Sequence, residues 1–185
     1  YVYYLDVGQG DSSLVIYNDE VAMIDTGGIS NYFVSSGSIK LLKSLGYSHI
    51  DYLILTHGDF DHMGDSIYLI NNYNIKNVVL NNDSFNELET NLINELKNKK
   101  IKYYQNVKKI PISNNIITIL NTKEYDNEND NSNVIYIELN NYKFMFMGDA
   151  GVDKEKDVLN NLDKSKIYRT DEGGIIMFKI KNNEY

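Results

Sequence analysis

Four side chains able to hold a transition metal, His57, Asp59, Asp61 and His62, fall within six residues, directly after the apolar run Asp51-Tyr52-Leu53-Ile54-Leu55 and Thr56. Imidazole nitrogen and carboxylate oxygen together suit zinc, manganese or iron. A loop leaving a strand lets alternate residues converge, so His57 and Asp59 can face one ion, while Asp61 and His62, on the next turn, face a second. The competing reading makes Asp59 or Asp61 the cap of the following helix, bonded to an orphan backbone N–H. Capping asks for one carboxylate and no histidine, whereas two of the chain's three histidines lie here. The third, His49, precedes the apolar run and reads as a surface residue.

Other carboxylates sit at comparable places. Asp149 follows the apolar stretch Tyr142 to Met147 and precedes Ala150-Gly151, where it either shares itself between two cations or satisfies the N–H groups of a turn. Asp6 and Asp11 flank Gly8-Gln9-Gly10, whose glycines permit unusual dihedrals and close approach; the spacing is wrong for a phosphate-binding P-loop. Asp25, in Asp25-Thr26-Gly27-Gly28, either supports a metal-ligating histidine from behind or organises its own loop. Asn131 and Asn133 orient the loop beside Asp149 or merely reflect an asparagine-rich composition.

Positioning these residues requires strands that end near one another. Val2–Val7, Ser13–Tyr17 and Val21–Asp25 read as strands, with Asn18-Asp19 as a turn. Asn31 to Leu45 has helical spacing and stops at Gly46. A strand over Ile50–Leu55 delivers the histidine cluster, and a helix carrying Met63, Ile67 and Ile70 follows. Ile75–Leu80 predicts another strand, and Ser84 to Asn98 a helix with a Ser84/Glu87 capping box and a Leu88, Leu92, Ile93, Leu96 stripe. Strands are expected at Ile101–Tyr104, Ile110–Ile112, Ile116–Leu120, Val134–Leu139 and Lys143–Met147, with Glu124 to Asn133 an exposed loop. A short helix over Lys154–Leu162 and strands at Lys166–Thr170 and Ile175–Ile180, joined through Gly173-Gly174, complete the pattern. Strand-rich flanks with interspersed helices favour two sheets with helices outside them, an α+β arrangement, over a doubly wound nucleotide fold.

The 185 residues are 42% hydrophobic, enough for one domain over 1–185 with a substantial core. A net charge of −8 disfavours non-specific binding of polyanions, so a nucleic-acid substrate needs a local positive patch or bound cations. The absence of cysteine excludes disulfides, thiolate ligands and cysteine nucleophiles. No apolar stretch approaches the length of a membrane span, so direct membrane insertion by this chain is not expected. The start at Tyr1, without Met, reads as a processed or excised piece.

Taken as an ordered set, Leu5-Asp6-Val7-Gly8-Gln9-Gly10-Asp11-Ser12, Ile24-Asp25-Thr26-Gly27, Thr56 to Gly64, Asn131 to Ile137, Met147-Gly148-Asp149 and Ile167-Tyr168-Arg169-Thr170-Asp171 with Gly174-Ile175 resemble the metallo-beta-lactamase superfamily. The likeness is greatest to the beta-lactamase-like domain of the ComEC/Rec2 DNA-uptake channel proteins and to related freestanding hydrolases. The resemblance implies an αββα sandwich with a metal site at one edge of the paired sheets. In it His57 and Asp59 serve one zinc or manganese ion, Asp61 and His62 a second, and Asp149 bridges them. Asp61 and Asp149 would be the catalytic carboxylates, with Asp6, Asp11 and Asp25 in support. The activity implied is metal-assisted phosphodiester hydrolysis of nucleic acid. Attachment to a membrane channel in a longer protein is implied as well, on the extracytoplasmic or cell-surface side; a freestanding relative would be cytoplasmic or secreted. The sequence departs from the pattern by passing from Gly151 to Ile167 without a histidine. A break between about 150 and 166 is therefore expected, with part of the C-terminal half missing and the site incomplete. Asp65 stands where a second glycine is common. The alternative function is a catalytically silent binding or structural domain that keeps the hydrolase fold.

Overall fold

The computed structural model describes residues 1–28, 34–82, 85–121, 123–159 and 176–178. The chain opens with β1 (Val2–Tyr4), β2 (Ser13–Tyr17) and β3 (Glu20–Ile24), antiparallel neighbours. The β2–β3 hairpin turns through Asn18 and Asp19, both at positive φ (46° and 67°), the left-handed pair that matches the twist of adjoining strands. Helix α1 (Val34–Ser44) then leads to β4 (His49–Ile54), which lies parallel to β3.

After the histidine loop come two short helices, α2 (Phe60–Met63) and α3 (Ser66–Asn72), where the sequence pattern predicts one. The interruption at Gly64-Asp65 has a steric cause. A Cβ on Gly64 would lie 2.8 Å from the Cα of Gly28, and the Asp65 N–H leaves the helix to donate to Gly27 O at 3.1 Å. Strand β5 (Asn74–Val79), α4 (Glu87–Lys99) and β6 (Lys102–Tyr104) extend the parallel part of the sheet. The capping box of α4 is Asn86/Glu89 rather than Ser84/Glu87: the helix starts at Glu87, and Asn86 Oδ1 accepts from Glu89 N–H at 3.0 Å. Ser84 itself lies outside the described residues.

The second sheet is a meander of β7 (Lys109–Ile112), β8 (Asn115–Ile119), β9 (Ile135–Leu139) and β10 (Tyr142–Phe146). Helix α5 (Val152–Leu159) follows, and β11 (Ile176–Phe178) returns to pair antiparallel with β1. Among the described residues the sheets are thus seven-stranded, in the order β11-β1-β2-β3-β4-β5-β6, and four-stranded, in the order β10-β9-β8-β7. The expected strand over 166–170, the turn at 173–174 and the site of the expected break from 160 onward fall outside the described residues.

Strand alternation sorts the core into two layers. Leu14, Ile16, Val21, Met23, Leu53 and Val78 face Leu42, Leu69, Leu92 and Leu96 of α1, α3 and α4. Val15, Ala22, Ile24, Ile54 and Val79 point the other way, against Ile117, Ile135, Ile137 and Phe146 of the smaller sheet. The layers run helices, large sheet, small sheet. On the outer face of the small sheet Ile116, Glu138 and Lys143 are exposed. Parallel β3, β4 and β5 all end at one edge, which brings Asp25, Thr56 and Asn81 together, and β10 delivers Gly148-Asp149 from the second sheet.

Candidate metal centre

Asp25 is the hub of this edge. It is fully buried and held at φ +56°, a left-handed conformation in which aspartate is tolerated better than most residues. Its Oδ1 accepts the Thr56 N–H at 2.7 Å, and its Oδ2 accepts the Thr56 hydroxyl at 2.6 Å. His62 Nδ1 approaches the same Oδ2 at 2.9 Å. Because the single hydroxyl proton of Thr56 goes to Asp25, Thr56 Oγ1 must accept from His57 Nδ1, 3.1 Å away. One carboxylate therefore engages the Nδ1 side of both histidines, directly for His62 and through Thr56 for His57, leaving each Nε2 as the atom available to a metal.

The two Nε2 atoms meet a carboxylate from the other sheet. His62 Nε2 lies 3.0 Å from Asp149 Oδ1, and the imidazole rings are 4.3 Å apart. Donor atoms of His57, His62 and Asp149 all fall within 4.8 Å of one another. His57 Nε2 is buried without a hydrogen-bond partner among the described residues, an arrangement that is costly unless something electrophilic is bound. The donor set and the orphaned nitrogen fit a divalent transition ion.

The remaining candidates are distributed less simply. Asp59 Oδ2 stands 3.5 Å from His57 Nε2, with its side chain half exposed. Asp59 is the N-cap residue of α2, yet its side chain makes no cap hydrogen bond, so helix capping does not account for the carboxylate. Asp61 is half-buried; its backbone oxygen accepts from Asp11 N–H at 3.3 Å, and its carboxylate joins neither close donor set. Asp11, with Asp25 and His62, forms the second close set, although Asp25 is already engaged by Thr56 and His62. Asp6 is exposed and accepts from Gly8 N–H in its own turn. His49 lies at the far end of β4, 3.2 Å from Asp51, roughly 20 Å of extended strand away from the cluster.

Charge is concentrated here. Burial, then the nearby Asp25, Asp149 and Asp61 carboxylates, push the Asp11 carboxyl up to about 6, with His62 opposing them. Burial alone would lower the His62 pKa. The Asp25 hydrogen bond and the Asp25, Asp149 and Asp11 charges outweigh it and raise that pKa to about 9.

Two distant segments hold the loop between the ligands. Gly58 N–H donates to Glu128 Oε1 at 2.9 Å, and Gly58 O accepts from Asn86 Nδ2 at 2.8 Å. A Cβ at Gly58 would meet Asn86 Nδ2 at 2.5 Å and Glu89 Oε2 at 2.6 Å, the two arms of the α4 capping box. Gly58→Ala is accordingly expected to cost about 1–2 kcal/mol, the worth of the cap it displaces. Urea denaturation would measure this, and an unchanged midpoint would refute the clamp. Asn133 secures the other side: its N–H donates to Thr56 O at 2.7 Å and its Nδ2 to Leu55 O at 3.1 Å. Ser132 and Asn133 are consequently buried, so the expected exposed loop is exposed only in part. The Asn131 side chain accepts from the Tyr125 N–H through Oδ1 and donates through Nδ2 to the Tyr125 carbonyl, both at 2.8 Å. Gly10, at φ +110°, lets its loop reach α2; a Cβ there would lie 1.9 Å from Asp61 O. Thr56, Glu128 and Asn86 carry no sequence signal for these roles beyond Thr56 standing next to His57.

Comparison with known proteins follows the same lines. A family model described as the metallo-beta-lactamase superfamily matches residues 5–174. ComE operon protein 3 of Bacillus subtilis (strain 168) is 26% identical over 176 residues, covering 84% of this chain and 23% of that protein. The chain thus spans less than a quarter of the length of this relative. Among solved structures, the native FEZ-1 metallo-beta-lactamase from Legionella gormanii superposes with a TM-score of 0.55 at 14% identity, over 78% of this chain and 58% of that one. The metallo-beta-lactamase fold protein YhfI from Bacillus subtilis gives 0.53 at 14% identity, over 80% and 62%. These structural likenesses concern the fold.

Proposed function

Because the chain belongs to the metallo-beta-lactamase superfamily, a fold of metal-dependent hydrolases, we propose that it cleaves phosphodiester bonds, with nucleic acid as the substrate class. The observation that carries this reading is the convergence of His57, His62 and Asp149 around an orphaned imidazole nitrogen. Similarity to ComE operon protein 3, together with the likeness to DNA-uptake channel proteins, supports the choice of substrate and attachment to a membrane channel within a longer protein. Among the described residues no helix is long and apolar enough to cross a membrane.

In this proposal zinc or manganese is held by His57, His62 and Asp149, with Asp59 beside His57 and Asp61 available to a second ion. When bound, the ion supplies Lewis acidity toward a phosphoryl oxygen and lowers the pKa of water. Asp149, exposed on one side, orients the attacking water and takes its proton, with Asp61 as the neighbouring carboxylate. The water oxygen bonds to phosphorus as the P–O bond to the leaving alcohol breaks, and that alcohol is protonated from solvent. Asp25 and Thr56 keep both imidazoles in the ligating tautomer throughout.

Purified protein given zinc or manganese is expected to hydrolyse bis(4-nitrophenyl) phosphate, and His57→Ala to lower kcat/KM by at least about a hundredfold. Turnover that is equal in the variant, or insensitive to chelation, would overturn the assignment. A second reading has its own support: the third histidine, His49, is remote, so this chain offers its ion only two imidazoles. Specific metal binding through His57 with no turnover above the metal-only blank would identify a silent binding domain.

A further inference from the structure

A cavity of about 360 Å³ opens at the same edge of the sandwich, within the range of small-ligand pockets. Its walls come from the segments after β5, β6 and β8 and from α5: Asn82, Asn106, Lys108, Asn121, Lys123 and Lys154. Of its ten described lining residues three are lysine, four asparagine and one, Glu124, acidic. In a chain of net charge −8 that is a local excess of positive charge, the chemistry of an anion site; Asn121 and Asn131 spend an amide N–H on Asn133 and Tyr125.

Lys154 makes the strongest case. It is 1% exposed, and its ammonium donates to Ser132 O at 2.6 Å and to Asn121 Oδ1 at 3.4 Å, both neutral oxygens. Among the described residues no carboxylate lies within ion-pair distance of it. Its Nζ also lies 5.5 Å from the Tyr125 ring centroid, and burial lowers its pKa to about 8 against the pull of Asp130; an anion in the cavity it lines would stabilise its charged form. Lys123 is paired with Asp157 at 2.9 Å and lies over the Tyr125 ring; Lys108 is exposed.

The cavity adjoins the metal centre through a shared loop. Ser132, which Lys154 holds, packs against Gly148, where a Cβ would lie 2.8 Å from Thr56 Oγ1 and 3.1 Å from Ser132 Cβ. The same loop carries Glu128, bonded to Gly58 between His57 and Asp59. We propose that this cavity is a phosphate subsite, walled by Lys108, Lys123 and Lys154, which receives a backbone phosphate flanking the phosphodiester under attack. The assignment rests on the phosphodiester reading above for its substrate, while its lysines and asparagines are independent of the metal ligands.

The test is fluorescence anisotropy with 5′-fluorescein hexathymidylate on the full chain in EDTA, which stops turnover, over 25 to 200 mM salt as an order-of-magnitude window. Lys108→Ala, at an exposed position, is expected to weaken binding about fivefold at low salt and to flatten the log–log salt slope by about 0.7, the value of one lost contact on a single strand. Lys108→Arg should restore both. No binding by the parent chain, or affinity equal to the parent's in both Lys108→Ala and Lys123→Ala, would overturn the subsite. Lysine-dependent binding without any metal-dependent turnover would instead remove the hydrolase assignment and leave the subsite standing.

Discussion

Asp25→Ala is expected to cost about 4 kcal/mol of folding stability and to weaken zinc binding about a hundredfold, although Asp25 need not touch the ion. The carboxylate accepts from Thr56 N–H, Thr56 Oγ1–H and His62 Nδ1, and all of these groups are buried. Its removal strands three donors, at about 1–3 kcal/mol each, partly recovered by relaxation and water entry. Both imidazoles are then free to rotate and to take either tautomer, so the ligand set loses its organisation as well as its support. Asp25→Asn sharpens the test. Its amide oxygen can still receive the Thr56 N–H, but its NH2 would face Thr56 Oγ1 and His62 Nδ1, reversing the hydrogen-bond chain. Urea denaturation and zinc titration would measure both variants, and metal affinity within twofold of the parent in each would sink the hub role.

Chelated and zinc-loaded protein should respond to pH in opposite directions. In the metal-free chain His62 is raised from 6.5 to about 9, so its contribution is fully present below pH 6.5 and is lost as pH rises through 9. The size is about 3 kcal/mol. Asp11, raised from 3.8 to about 6, works in the same sense at lower pH: stability falls as it ionises beside Asp25, Asp149 and Asp61. A divalent ion needs the proton off His62 Nε2, so zinc affinity should climb by up to about tenfold per pH unit below 9. Denaturation midpoints at pH 6.5 and 9, with EDTA and with zinc, would show the crossing. Parallel curves would mean that the ion does not use His62.

The part of the site legible in the sequence is the part made by neighbours in the chain. His57 and His62 could be assigned to one short segment because β4 ends just before it, and Asp149 to the same edge because β10 ends just before it. Their supporting contacts were not legible. Glu128 is 70 residues from Gly58, and Asn86 is 28 residues away; neither belongs to a periodic pattern. For the capping box of α4, Ser84/Glu87 and Asn86/Glu89 satisfy the same spacing rule two residues apart, and tertiary contact of Asn86 with Gly58 favours the second. The break between α2 and α3 comes from the approach of Gly28, invisible to helical periodicity. Both sheets, in contrast, follow from alternation: residues 21 to 24 and 52 to 55 feed opposite cores in turn.

His57, His62 and Asp25 belong to the first sheet and its loops, whereas Asp149 arrives only when the second sheet has docked. An ion shared by His62 and Asp149 would act as a clasp across the sandwich, so its binding energy would enter the cooperativity of folding itself. Stripping it should loosen the whole small sheet, seen as faster amide exchange along β9 and β10, while the helical side of the molecule stays closed.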